Sequence, residues 1–218
     1  MPEVNLLKSL PQVKRNIQSR NELRDQNVIS VAKQYGREYF DGERKFGYGG
    51  YRYDGRWLPV AQDIIDFYKL KPGMRVLDIG CAKGFLVKDL MVKCPGLEVF
   101  GLDVSEYAIR NCEPEIIGRL HLGSAETLPF PDKSFDLVIS LNTVHNFSRD
   151  NAIKVLKEIT RISKKNAFVQ VDSYFTNEQK NIFESWVLTA EFHDFPEGWK
   201  QVFAESDYQG DYFWTIIE

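Results

Sequence analysis

Short apolar runs alternate with helical stretches from residue 74 to the end of the chain, and this alternation constrains the fold more than any other feature. The apolar runs are typical of buried parallel strands, and the segments between them place apolar residues at helical spacing. The predicted strands are 74–80, 97–104, 119–123, 134–140, 166–174 and 211–218. The predicted helices are 84–93, 105–112, 151–162, 177–190 and 196–206. Strands that alternate with helices predict an α/β three-layer sandwich with a mostly parallel sheet.

The first 57 residues have a different character. Residues 1–35 are polar with a broken apolar stripe, which is typical of helices that need a partner. Residues 36–57 concentrate glycines, aromatic rings and arginines without a helix or strand period, whereas 58–71 return to helical spacing. Because solvated linkers seldom contain so many aromatic residues, we expect 36–57 to form a glycine-hinged lid. The sequence thus predicts a helical arm and lid at 1–57 and a main domain at 58–218.

Composition excludes several classes of protein. The chain has 28 Lys and Arg against 31 Asp and Glu, and its net charge of −3 argues against a sequence-independent nucleic-acid binder. The three cysteines lack CxxC spacing and the three histidines lack ligand spacing, so we expect reduced thiols and no metal. No apolar run approaches the length of a membrane span, and no signal peptide is recognisable. We expect a soluble cytoplasmic protein that does not associate with membranes.

The segment VLDIGCAKG (76–84) forms a turn between the first strand and the next helix. Gly80 and Gly84 let the backbone bend sharply and approach a ligand. Asp103 ends the second strand, where a carboxylate can accept hydrogen bonds from both hydroxyls of a ribose. A dinucleotide fingerprint would need glycine at Ala82 and Phe85. The pattern predicts a nucleoside site and disfavours NAD or FAD.

These motifs resemble those of class I S-adenosylmethionine-dependent methyltransferases. VLDIGCAKG is similar to the first motif, D-x-G-x-G-x-G, with Ala82 in place of the middle glycine. FGLDVSEYAI resembles the second motif, and GSAETLPFPDKSFDLVISLNTVHNF resembles the stretch that follows. The resemblance covers about residues 70–175. It implies a Rossmann-like sheet of seven strands or slightly fewer, S-adenosylmethionine as cofactor, S-adenosylhomocysteine as product, and an enzyme that transfers methyl groups.

The resemblance also implies which residues bind the cofactor. Asp78 lies near the amino group, Asp103 takes the ribose, and Glu126 with the Ala125 amide takes the adenine edge. Helix amides after Gly80 can meet the cofactor's carboxylate. The expected cofactor-binding residues are Asp78, Gly80, Cys81, Ala82, Gly84, Asp103, Val104, Ala125, Glu126 and Leu141.

The loop after the fourth predicted strand is expected beside the transferable methyl group. His145 is a candidate general base, or a histidine that packs at a helix start. Asn142 either orients the acceptor or satisfies the backbone, and Asp172 is either an acid/base or a strand-end residue. The loop lacks the [ND]-P-P-[YFW] pattern of adenine and glutamine methyltransferases, which speaks against DNA or a protein glutamine as substrate.

The lid segment is expected to form the wall of the binding site for the methyl acceptor. Its tyrosines and tryptophan would enclose the acceptor, and its arginines would meet a carboxylate or phosphate, although neighbouring acidic residues offset them. The expected acceptor-binding residues are Arg44, Tyr48, Tyr51, Arg52, Tyr53, Arg56 and Trp57. The leading hypothesis is O- or N-methylation of a small acceptor that could be anionic. An RNA methyltransferase and a cofactor-binding pseudoenzyme subunit are the alternatives.

Overall fold

The computed structural model describes residues 1–11 and 17–217. Within these described ranges, six strands form one sheet in the order β3-β2-β1-β4-β5-β6, and every pairing between them is parallel. The strands are β1 (Arg75–Ile79), β2 (Glu98–Asp103), β3 (Leu120–Leu122), β4 (Phe135–Leu141), β5 (Ser163–Asp172) and β6 (Asp211–Thr215). The predicted Rossmann-like sandwich of slightly fewer than seven strands is confirmed.

Nine helices surround this sheet within the described residues. They are α1 (Ile17–Glu22), α2 (Gln26–Ala32), α3 (Arg37–Asp41), α4 (Leu58–Tyr68), α5 (Phe85–Lys93), α6 (Glu106–Arg110), α7 (Arg149–Ile162), α8 (Asn177–Trp186) and α9 (Pro196–Glu205). Two single 3₁₀ turns lie at Pro114–Ile116 and Val144–Asn146. Of the residues described, no helix is both long and apolar enough to cross a membrane.

Local chemistry explains where the helices begin. Ser148 caps α7 by accepting a hydrogen bond from the Asn151 amide, and Ser105 caps α6 in the same way through Ala108. The apolar stripe of α7, which includes Leu156 and Ile159, is buried against the sheet. One apolar cluster joins α7 and α9 to one side of the sheet, and a second joins α4 and α5 to the other. The sheet is therefore covered on both faces, as an all-parallel sheet requires.

The order of the strands reverses between β1 and β4. From β1 the chain builds outward through β2 and β3, then returns to add β4, β5 and β6 on the opposite side. The carboxyl ends of β1, β2 and β4 meet at this switch point. Ligands of open parallel sheets bind there, beyond the strand ends.

The first residues of the chain pack against the main domain. Leu6 and Leu7 are buried in the same cluster as Val60, and Glu3 pairs with Tyr212 in an isolated parallel bridge. Removing residues 1–57 would therefore take apolar side chains out of the core. Residues 12–16 of the predicted arm lie outside the described residues.

Candidate functional site

A cavity of about 430 Å³ lies at the switch point, beyond the ends of β1, β2 and β4. Its wall combines two groups of residues. The first comes from the turns after these strands, and the second is aromatic and comes from residues 35–57. Its volume falls within the roughly 300–1,000 Å³ of small-molecule sites.

The turn after β1 is tightly folded. Gly80 has a φ of +76°, and its amide donates to the Leu102 carbonyl at 2.7 Å. A β-carbon at Gly80 would collide with the hydroxyl of Thr143, so only glycine fits there. Ala82 also adopts a left-handed conformation, with a φ of +51°. The turn thereby brings Gly80, Cys81 and Ala82 to the cavity wall.

Asp103 fixes this turn to the end of β2. Its Oδ2 accepts from the Ala82 amide at 2.7 Å, and its Oδ1 accepts from the Ser105 amide at 2.8 Å. Burial raises the pKa of Asp103, although these backbone hydrogen bonds oppose the shift. A carboxylate has about four acceptor sites. Asp103 therefore retains capacity to accept from a vicinal diol such as a ribose.

Asp78 is a buried carboxyl group on the cavity wall, with 4% of its surface exposed. Burial, and secondarily the charge of Asp103, raise its pKa to about 7. The carboxyl groups of Asp78 and Asp103 lie at the same end of the sheet. A bound ammonium group would stabilise their negative charges. The amino group of S-adenosylmethionine matches this requirement.

The remaining expected cofactor residues follow the ends of β2, β3 and β4. Ser124 Oγ donates to Glu126 Oε2 at 3.0 Å and accepts from the Glu126 amide, which holds this carboxylate in place. Of the ten predicted residues, all except Gly84 lie on the cavity wall. Gly84 precedes α5, and a β-carbon there would press on Ile116. Packing against Ile116 thus explains why this position is a glycine. The other nine fit S-adenosylmethionine.

Tyr48, Tyr51 and Trp57 of the predicted lid line the cavity. Tyr35, Tyr39 and Phe40, which the sequence analysis did not select, line it too. The rings contact each other closely, with 4.3 Å between the centroids of Tyr48 and Tyr51. The aromatic composition around Gly36 was the available signal for the missed rings.

The predicted arginine clamp does not form. Arg44 donates to the Gly47 carbonyl and lies over the Trp186 ring, and Arg56 pairs with Asp54 at 2.6 Å. Arg52 borders a separate small depression with Tyr53, whose hydroxyl donates to Asp89 at 2.7 Å. Within the described chain, none of these four residues lines the main cavity. Arg44, Arg56 and Tyr53 are thus engaged by groups of the protein itself, and Arg52 lies away from the main cavity.

His145 and Asp172 contact each other, but neither is among the described residues that line the cavity. His145 is buried, and its Nδ1 accepts from the Asp172 amide at 3.1 Å. Its Nε2 lies 3.4 Å from Asp172 Oδ2. Burial lowers the pKa of His145, and the nearby Asp172 opposes this shift. The geometry thus corresponds to the packing alternative rather than to a general base.

Asn142 does lie on the cavity wall, with a left-handed φ of +51°. Asn146, Phe147 and Thr143 of the same loop accompany it. The sequence analysis selected His145 from this loop, whereas the structure turns that side chain away and presents Asn146 instead.

This combination of parallel sheet, glycine turn and strand-end carboxylates resembles that of class I S-adenosylmethionine-dependent methyltransferases. Residues 77–171, somewhat less than half of the chain, match the family model described as "Methyltransferase domain". The match runs from β1 to β5 and includes every predicted cofactor residue.

Curated relatives share this domain. The chain is 34% identical over 108 residues to probable tRNA methyltransferase 9B of Mus musculus, covering 49% of this chain and 22% of that protein. It is 27% identical over 177 residues to 2-methyl-6-phytyl-1,4-hydroquinone methyltransferase of Synechocystis sp., covering 72% and 55%. The chain therefore spans less than two thirds of these relatives, and their names indicate chemically different acceptors.

Solved structures share the fold. A SAM dependent methyltransferase from Archaeoglobus fulgidus superposes with a TM-score of 0.56 at 21% identity, covering 78% of this chain and 71% of that one. At this identity, the likeness concerns the fold alone.

Proposed function

We propose that this chain is an enzyme that transfers the methyl group of S-adenosylmethionine to a small-molecule acceptor. The observation that carries the proposal is that one cavity joins Asp78, Asp103 and Glu126 to an aromatic wall from the lid segment. The carboxylates match the cofactor's ammonium, ribose and adenine groups. The aromatic wall provides a separate surface for a second substrate.

The residues of the turn and strand ends would hold the cofactor. Asp78 would bind the ammonium group, Asp103 the ribose hydroxyls, and Glu126 with the Ala125 amide the adenine edge. S-adenosylmethionine would supply a methyl group bound to a sulfonium sulfur; the acceptor's lone pair would form the new bond as the S–C electron pair returns to sulfur, and the acceptor's proton would pass to the solvent outside the cavity. The protein's own contribution is to position the two reactants and exclude water.

The size of the cavity supports a small acceptor. The cofactor and the acceptor's reacting group would meet in a cavity of about 430 Å³, within the roughly 300–1,000 Å³ of small-molecule sites. Lys33, the described cation on the wall, is paired with Glu191 at 3.2 Å. We therefore revise the expected anionic acceptor to an uncharged one.

RNA methylation is the second candidate, because a named tRNA methyltransferase is 34% identical over half of the chain. Aromatic rings can stack on an unpaired base. The net charge of −3 and the occupied arginines disfavour a phosphate backbone. Retention on RNA that weakens steeply with salt would support this candidate over the first.

Transfer of labelled methyl groups tests the proposal. Purified protein, labelled S-adenosylmethionine and a small-molecule extract should give a labelled product below the mass of any RNA. Cofactor binding without any labelled product would instead indicate a binding subunit, and would overturn the proposed activity.

A further inference from the structure

The connection from β3 to β4, residues 123–134, forms part of the cavity wall. All of it is described by the structure, and it contains no helix or strand. Ser124, Ala125 and Glu126 line the cavity, where Ala125 and Glu126 would meet the adenine edge of the cofactor. A segment without regular structure keeps a defined position only where other parts of the fold hold it. The contacts that hold this loop therefore bear on how the cofactor is bound.

Arg161 on α7 holds the middle of this loop, and all five of its N–H donors are used. Two of them donate to the Glu158 carboxylate. The other three donate to the Leu128 carbonyl, the Phe130 carbonyl and Asp132 Oδ1. Glu158 Oε2 in turn accepts from the Leu128 amide at 2.8 Å, and Arg161 Nη2 lies 3.0 Å from the Leu128 carbonyl. This arginine–glutamate pair thus binds both backbone polar groups of Leu128.

The pair is charged and largely shielded from solvent. The side chains of Arg161 and Glu158 are 31% and 20% exposed. Hydrogen bonds from Arg161 lower the pKa of Glu158, so this carboxylate is ionised at neutral pH. Charge-assisted hydrogen bonds from a guanidinium fork are stronger and more directional than neutral ones. The pair therefore fixes both the position and the orientation of the Leu128 backbone.

The adenine turn, residues 124–127, lies between this pair and the end of β2. Before the turn, the Gly123 amide donates to the Asp103 carbonyl at 3.0 Å. After the turn, α7 holds Leu128, which is two residues from Glu126. A chain segment held at both ends has few positions open to it, and release of one end would give it many more. The position of Glu126 in the cavity therefore depends on the contact with α7.

We propose that Arg161 and Glu158 are positioning residues that hold the adenine turn against the cofactor, and that they thereby determine the preference for adenine over other bases. The exocyclic amine of adenine donates a hydrogen bond, which a carboxylate such as Glu126 accepts. Hypoxanthine carries a carbonyl oxygen at the same place, and a carboxylate repels it. This inference rests on the proposed function, because it requires that the cavity binds the nucleoside of S-adenosylmethionine.

Calorimetric titration with S-adenosylhomocysteine and with S-inosylhomocysteine tests the inference on the full-length protein, because the two compounds differ only in the base. The wild type should bind the adenine compound at least roughly tenfold more tightly. In Arg161→Gln the ratio of the two affinities should fall toward one, because the adenine compound binds more weakly while the affinity for S-inosylhomocysteine changes little. A role of Arg161 in stability alone would leave this ratio unchanged.

Three further variants complete the experiment. Arg149→Gln is the matched control, because Arg149 begins the same helix and pairs with Glu205 of α9 at 2.6 Å; its ratio should equal that of the wild type. Glu126→Gln should lower the ratio by changing the group that meets the base. Arg161→Lys guards against misfolding of the glutamine variant. It keeps the positive charge, but an ammonium group cannot replace the planar fork, so the ratio should again fall.

The possible outcomes separate the inference from the proposed function. A wild-type ratio in whichever Arg161 variants fold would overturn the positioning role. Equal binding of both compounds by the wild type would also overturn it, because Glu126 would then not distinguish the bases. Failure of the wild type to bind S-adenosylhomocysteine at all would instead overturn the proposed function.

Discussion

Lys83 Nζ lies 2.6 Å from Asp41 Oδ2, and this ion pair joins the glycine turn after β1 to the last residue of α3. Lys83 also donates to the Tyr51 carbonyl at 2.8 Å, while Asp41 accepts from the Tyr51 amide and the Tyr107 hydroxyl. The Lys83 side chain is only 8% exposed. These contacts hold the lid segment, residues 36–57, directly on the turn that lines the cofactor side of the cavity.

Asp41→Asn should loosen the lid segment, because it leaves the Lys83 ammonium buried without its counterion. We expect a loss of about 2 kcal/mol in the free energy of unfolding, between the values of exposed and fully buried pairs. Limited trypsin digestion should cut faster after Arg44 and Arg52, as followed by mass spectrometry of the new peptides.

Glu38→Gln is the control for this experiment, because Glu38 pairs with Arg37 on the exposed surface of the same helix. Its stability should change by less than about 0.5 kcal/mol. If both variants are cut at the wild-type rate, the ion pair does not hold the lid segment.

Asp78→Asn should make the ligand-free protein more stable above neutral pH. The folded pKa of about 7 exceeds that of an unfolded aspartate. Between the unfolded and the folded pKa of Asp78, the folded state therefore binds more protons than the unfolded state. The free energy of unfolding falls as the pH rises through this range. The asparagine variant avoids this loss, so its advantage should grow from near zero at pH 4 to at most about 4 kcal/mol at pH 8.

Urea unfolding of both proteins across this pH range measures the difference. The comparison cancels other titrating groups such as His145, whose lowered pKa acts in the opposite direction. A constant difference at all pH values would mean that the Asp78 pKa is not raised.

The Asp78→Asn variant should also bind S-adenosylmethionine more weakly, because the ammonium group of the cofactor no longer meets a carboxylate.

His145→Gln should affect folding rather than catalysis. The Asp172 amide would lose its acceptor on Nδ1, at a cost of about 1–3 kcal/mol. We expect a lower unfolding temperature and a pH–rate profile with the wild-type shape. Loss of an acidic limb from that profile in the variant would show instead that His145 acts as the base.

The sequence was sufficient to predict the sheet, because interior strands of a parallel sheet are nearly continuous apolar runs. Asp78 and Asp103 could be predicted to lie together for a related reason, since Asp78 is the last residue but one of β1, Asp103 ends β2, and strand ends converge at the switch point. These features depend on local pattern and on topology that the pattern implies.

Contacts between distant segments were beyond such reasoning. Arg44 meets Trp186 far along the chain, and His145 turns toward Asp172 because β5 lies beside β4. Asp54 and Arg56 are neighbours in sequence, so their pairing was the one signal that argued locally against an arginine clamp. The Asn146 side chain is oriented by the backbone carbonyl of Asn142, a residue with a left-handed conformation. Hydrophobic periodicity does not reveal such a conformation.

Calorimetric titration of S-adenosylhomocysteine into the wild-type protein and Asp103→Ala tests the central claim most directly. The account predicts binding to the wild type at one site, and a loss of about 2–3 kcal/mol in the variant, since charge-assisted hydrogen bonds contribute roughly 1.5–3 kcal/mol and overlap. Asp103→Asn, which keeps one carbonyl oxygen, should lose less, and it guards against misfolding of the alanine variant. Equal affinity in all three folded proteins, or no binding to the wild type, would contradict the assignment of this cavity as the cofactor site.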